Sequence, residues 1–335
     1  MVQQMKLRNL FALALLGLAG SVQAATTMKI ATVAPDGTAW MREMRAGADA
    51  LKKRTEGRVE IKYYPGGVMG DEPSVLRKIK IGQLQGGAFT GGELSAIVKD
   101  AQIYSLPFLF KNQEEVDKVR QQLDPLLKKS FEQAGFEAVG ISGGGFAYLM
   151  SVKDIRNKDD LKAAKVWVPQ GDRIAEAGFK AGGVTPIPLP LADVYTSLQT
   201  GLIDTAANTP AGAIAFQWHT KIKHMVDLPL TYVVGILVID KKVVDGLSAD
   251  DQKALNDELG AAFARLEKIN RDDNAQARGV LEKQGVTIFA PNAEETKAWE
   301  TVGSTARKEL VAQNEVTPEM AAALDKALAA ARGSK

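Results

Sequence analysis

Few residues in this chain have the types and spacing that chemistry needs. Gly140-Ile-Ser142-Gly-Gly144 fits the G-x-S-x-G pattern of a nucleophile elbow, and Asp204 and His219 follow in the order of a triad. An elbow needs a helix directly after its serine. Here three glycines and then the β-rich Phe146-Ala-Tyr-Leu-Met150 follow. Glycine is a poor helix former, so the segment reads as a flexible strand-to-strand hinge. No G-x-x-x-x-G-K-[ST] sequence is present to cradle phosphate. The glycine clusters at 86–87, 91–92 and 143–145 do not make a dinucleotide fingerprint followed by a helix. No pair of carboxylates stands in an acid–base context. The chain has no cysteine, which excludes thiolate chemistry, zinc ribbons, disulfide frameworks and acyl-cysteine lipid anchors. Two histidines, His219 and His224, are too few for a His-rich metal site. No catalytic residue, metal or cofactor is called for, and the chain reads as a non-enzyme.

The elements that must position any remaining site come from size, charge and periodicity. With 335 residues, 45% of them hydrophobic, the chain can bury a large core, and its length suggests about two domains. A formal net charge of +2 is too small for an electrostatic nucleic-acid binder. Lys6 and Arg8 precede an apolar run over residues 10–19, and Ser21-Val22-Gln23-Ala24 ends it with small residues. That is the layout of a cleavable secretory signal over residues 1–24, too short to span a bilayer. The mature chain is therefore expected to be periplasmic, soluble and monomeric, with its charges balanced and no lipid anchor.

From residue 28 onward, strands and helices alternate. Residues 28–32 alternate as a strand. A helix opens at Asp36-Gly-Thr38 and carries Trp40, Met44, Ala48 and Leu51 on one face; Val59, Ile61 and Tyr63 mark a second strand. Pro73 starts another helix, closed by Gly82. The order restarts with a strand at residues 165–168, a helix at 174–181, a strand at 184–187, a helix at 192–200 and a further strand beyond Asp204. This β-α-β-α order implies a mainly parallel sheet flanked by helices. Residues 146–150 and 232–239 read as two crossing strands between the halves. Residues 249–284 contain one glycine, Gly260, and no proline, with Ser248 as N-cap. They form either two helices broken at Gly260 or one helix of about 54 Å lying across both halves.

An exported two-lobed α/β protein without catalytic machinery points to binding in a central cleft. Ligands in open α/β sheets sit past the carboxyl ends of strands. Here those positions are residues 33–38, 89–92, 146–148, 167–172 and 208–210. They bring forward Asp36, Phe89, Thr90, Phe146, Trp167 and Asp172, with Trp40 and Trp218 close by. Each has a structural alternative: Trp40 and Trp167 as core, Trp218 as a helix cap.

Five segments, in order, resemble the solute-binding proteins of tripartite ATP-independent periplasmic (TRAP) transporters. They are Thr55-Glu-Gly57-Arg, Tyr64-Pro65-Gly-Gly-Val-Met-Gly70, Leu106-Pro-Phe-Leu-Phe110, Asp160-Leu-Lys with Lys165-Val-Trp-Val-Pro169, and Asp193-Val-Tyr195-Thr-Ser-Leu-Gln199-Thr-Gly201-Leu-Ile-Asp204. The resemblance covers nearly the whole mature chain. It implies two lobes, a ligand cleft, two crossing strands and a long hinge-spanning helix, with residues 25–146 and 235–265 in one lobe and 147–234 and 266–335 in the other. It also implies delivery of an organic acid to the small and large membrane subunits of a sodium-driven permease. The family's usual carboxylate-clamping arginine before Val-Pro is replaced by Trp167, and a second, after the glycine-aromatic pair, by Ala147. Arg173 is the nearest substitute by sequence, Asn208 matches a retained asparagine, and Gln170 falls where polar ligand contacts are common. Competing readings are a binding protein of an ATP-driven transporter, a chemosensory binding protein, and a secreted hydrolase using Ser142.

Overall fold

A computed structural model describes residues 25–333; the expected signal sequence over 1–24 lies outside the described residues. The first lobe begins with β1 (Thr26–Thr32), α1 (Ala39–Arg54), β2 (Val59–Tyr64), α2 (Glu72–Lys80), β3 (Gly86–Thr90), the short α3 (Gly91–Leu94) and α4 (Gln113–Gln133). β1 pairs in parallel with β2 and β3, as the alternation of strand and helix predicts. Thr38 caps α1, its hydroxyl accepting from the Met41 N–H. Asp71 caps α2, which begins at Glu72, one residue before the expected start at Pro73.

The strand after α4 is longer than expected. β4 runs from Phe136 to Ser151 and takes in all three of Gly143, Gly144 and Gly145, which do not form a loop before it. The second lobe follows with α5 (Lys158–Lys162), β5 (Trp167–Pro169), α6 (Arg173–Ala181), β6 (Ile187–Leu189), α7 (Val194–Thr200), β7 (Thr205–Asn208), α8 (Pro210–Ala215) and β8 (His224–Val226). β9 (Thr231–Asp240) then returns antiparallel along β4, from Ala147↔Thr231 to Phe136↔Asp240. At one end β9 pairs with β3; at the other β4 pairs with β7 and β8. These two strands therefore cross from lobe to lobe, and the register slips between Gly143 and Gly145, where a bulge bends β4.

α9 (Lys241–Asp245) leads into α10 (Ala249–Lys283), then β10 (Thr287–Phe289), α11 (Ala293–Ala312) and α12 (Pro318–Gly333). α10 is one unbroken helix of 35 residues, roughly 52 Å long. A mid-helix glycine costs about 1 kcal/mol. Gly260 is outweighed by Leu255, Leu259, Phe263 and Leu266, all fully buried against α1 and β4. Close approach explains the glycines facing it: a Cβ on Gly140 would enter the Phe263 ring, and one on Gly47 would lie 2.9 Å from Ala262 Cβ. Asn270 and Asn274 of α10 donate to the carbonyls of Gly143 and Gly144, and Glu267 accepts from the Gly143 N–H. The glycines are thus held by the helix beside them.

Among the described residues, four apolar cores pack around the sheet. The resemblance places residues 266–335 in the second lobe. α12 instead packs on α4, and its Met320, Leu324 and Leu328 share a core with Val116, Leu123 and Phe131 of that helix. α11 packs on α6, and its Leu310 joins the core that α12 shares with α4.

Candidate functional site: the cleft between the lobes

Between the two lobes lies a cavity of about 770 Å³, lined from both. Its floor is β4 and β9 (Gly144, Ala147, Val233, Gly235), and α10 closes one side with Asn270, Asp273, Ala277 and Val280. Gly235 leaves room for the Trp40 indole, which also meets Phe263 edge-to-face at 5.8 Å.

From the first lobe, Asp36, Trp40, Phe89 and Thr90 all line the cavity. Asp36 is exposed and bound by Arg45, which holds its carboxyl below the usual range. Phe89 is buried in the cavity wall. The Thr90 N–H donates to Glu93 Oε2 at 2.9 Å in the capping box of α3.

From the second lobe, Trp167, Asp172 and Asn208 line the cavity. Trp167 is only 4% exposed; its indole N–H donates to the Leu189 carbonyl at 2.9 Å and its ring stands edge-to-face on Trp218 at 5.4 Å. It offers the cleft apolar surface and no free donor. Asp172 caps α6, its Oδ1 accepting from the Ala175 N–H at 2.9 Å. Its carboxylate lies against Gly92 of the other lobe, where a Cβ would come within 2.5 Å of Oδ2.

Four expected contacts fall elsewhere. Phe146 is absent from the lining and packs edge-to-face on Tyr232 at 5.1 Å, because strand alternation turns it from the face that Ala147 presents. Gln170 is exposed in the turn after β5 and does not line the cavity. Arg173 also lies outside it: its side chain is 72% exposed and pairs with Glu315 at 3.3 Å, so it is no substitute clamp here. Trp218 is fully buried beneath Trp167. Ser142 is fully buried within β4, with no helix after it, so no nucleophile elbow forms. Asp204 is held by Lys153 and caps the Lys165 N–H.

Sequence reading missed Phe108, Phe179, Phe216 and Trp299, which add aromatic wall, and Glu93 and Asp273, which add carboxyl groups. Glu93 was legible as the fourth residue of Thr90-Gly-Gly-Glu93, a capping-box spacing. Burial and the neighbouring Glu72 push its carboxyl well above the usual range, and burial likewise raises Glu72. Burial pushes Asp172 up to about 6. The lining cations, Arg42 and Lys158, are exposed, and the Arg42 guanidinium donates to the Gly37 carbonyl at 2.6 Å.

Comparison with known proteins agrees with this architecture. A periplasmic C4-dicarboxylate-binding protein, DctP of Rhodobacter capsulatus, is 26% identical over 257 residues, 76% of this chain and 77% of its own. A TRAP solute-binding protein from Desulfovibrio salexigens, solved with orotic acid, superposes with a TM-score of 0.85 at 21% identity, covering 91% of this chain and 99% of that one. Another, from Ochrobactrum anthropi, solved with its C-terminus in the ligand pocket, gives 0.80 at 26% identity over 93% and 97% of the two chains. Residues 30–314 match the DctP profile, and the chain belongs to the bacterial extracellular solute-binding proteins of family 7.

Proposed function

We propose that this protein is the periplasmic receptor of a TRAP-type secondary transporter, which captures a small organic solute by cleft closure and hands it to the permease's membrane subunits. The observation that carries this reading is the 770 Å³ cavity between lobes joined by two antiparallel strands. A solute there touches both lobes only when they are closed, so binding shifts the population toward closure. The crossing strands absorb the rotation, and the bulge at residues 143–145 is where their pairing is already interrupted. Export by residues 1–24 belongs to the same proposal, with the mature protein beginning at Ala25. No described helix is long and apolar enough to cross a membrane.

Small-angle scattering of the mature protein, with and without a solute found by thermal shift, tests closure. The radius of gyration is expected to fall on binding; an unchanged profile at saturation refutes it. N-terminal sequencing of an osmotic-shock fraction tests export, and an intact Met1 in the membrane pellet counts against it.

A further inference from the structure

We propose that the cleft selects a solute with an apolar or aromatic body and an ammonium or similar N–H donor head, and that the Asp172 carboxylate receives that head. This inference rests on the solute-binding reading and names its ligand class.

The argument starts from charge. A bound carboxylate needs a positive partner, and a charge-assisted hydrogen bond is worth roughly 1.5–3 kcal/mol. Arg42 and Lys158, the cations among the described lining residues, are both exposed. Arg173 points away to Glu315, and Arg307, behind the lining, donates to the Pro107 carbonyl. The acids are placed differently. Asp172 sits at the seam between lobes, against Gly92, with no salt bridge to it among the described residues. Next to Gly92 stands the half-buried Glu93, hydrogen-bonded with Glu72, its carboxyl held well above the usual range. An anionic solute entering here meets the Asp172 carboxylate with no cation paired to it among the described residues, whereas a cation supplies that partner.

Position sharpens the assignment. The Asp172 Oδ1 is engaged by the Ala175 N–H. Oδ2 packs against Gly92 of the first lobe and itself fills the space that glycine leaves, and both residues line the cavity. A donor head that reaches this carboxylate from the cavity lies beside both lobes at once, which couples binding to closure. The surrounding walls are Trp40, Phe89 and Trp167, together with Phe216. Aromatic faces attract cations and shed apolar surface from water, so the walls suit the same ligand class as the acid.

The test is a thermal-shift and calorimetric panel on the mature protein at pH 7.5. It compares arylalkyl amines such as phenethylamine with their carboxylate counterparts such as 3-phenylpropanoate, alongside succinate and neutral polyols. Amines are expected to bind at least tenfold more tightly than the matched carboxylates. Asp172→Asn is expected to remove that preference while the variant stays folded by circular dichroism. Asp172→Glu, which keeps the charge, should retain part of it. Hits confined to carboxylates or polyols overturn the ligand class and leave the binding-protein reading standing. Amine binding that Asp172→Asn leaves intact overturns the role of Asp172. The absence of any hit counts against the binding-protein reading and against this inference with it.

Discussion

Replacing Asp172 by asparagine should make the empty protein more stable at neutral pH, and the pH dependence of the gain gives its cause. In the folded protein burial raises this carboxyl from its ordinary 3.8 to about 6. Between those values the folded state holds a proton that the unfolded chain has lost, so this group's contribution to stability falls as pH rises from about 4 to 6. Above 6 the carboxylate is charged in both states and the full cost is present; below about 4 it is protonated in both and the cost is gone. At 1.36 kcal/mol per pH unit the cost at pH 7.5 is about 3 kcal/mol. Asparagine removes the charge and keeps an acceptor for the Ala175 N–H, and it is as good an N-cap as aspartate. Urea denaturation of parent and variant at pH 7.5 and pH 4 checks this. The variant's midpoint should lie higher by an amount corresponding to up to about 3 kcal/mol at pH 7.5, and the two proteins should converge at pH 4. A variant equal to or weaker than the parent at pH 7.5, with unchanged m-value, refutes the reasoning and means the carboxylate is well solvated. The same titration bears on binding: affinity for an amine should fall as pH drops through 6.

Three further outcomes are expected. Trp167→Phe loses the hydrogen bond to Leu189 and should cost about 1 kcal/mol, while Trp167→Ala leaves a cavity over Trp218 and should cost about 3–5 kcal/mol in thermal melts; an alanine variant melting like the parent would mean the ring is not part of the core. Glu72 and Glu93 form a buried acid pair whose carboxyls are both raised, so stability drawn from them is present at low pH and lost as pH rises. Glu72→Gln should therefore be at least as stable as the parent at pH 8 and gain nothing at pH 4, and a lower melting temperature at pH 8 would sink that account. Gly140→Ala drives a Cβ into the Phe263 ring and should cost about 1–3 kcal/mol by overpacking, read as a lower denaturation midpoint; a neutral result would show that α10 can shift away from β4.

What the sequence determined by itself is everything written in local pattern. Val59, Ile61 and Tyr63 alternate and make a strand; Trp40, Met44, Ala48 and Leu51 recur at helical spacing and make α1; Ser248 starts the long helix. The missing cysteines and the unremarkable charge removed whole classes of function before any fold was known. Phe89, Thr90, Asp172 and Asn208 were legible as cleft residues because strand ends and helix starts are local features that the α/β architecture gathers on one side. Tertiary structure decided which way side chains face and which distant segments meet. Gly260 does not break α10, because burial of Leu259 and Phe263 against β4 exceeds glycine's helix penalty. The glycines of β4 lie inside the strand, since α10 presses on them from more than a hundred residues away. Arg173 sits beside Asp172 in sequence, yet the turn into α6 sends it outward to Glu315. Trp218 is sealed beneath Trp167, and α12 returns to the first lobe to pack on α4. Each of these outcomes rests on apolar burial or ion pairing between residues far apart in the chain, and no local periodicity records them.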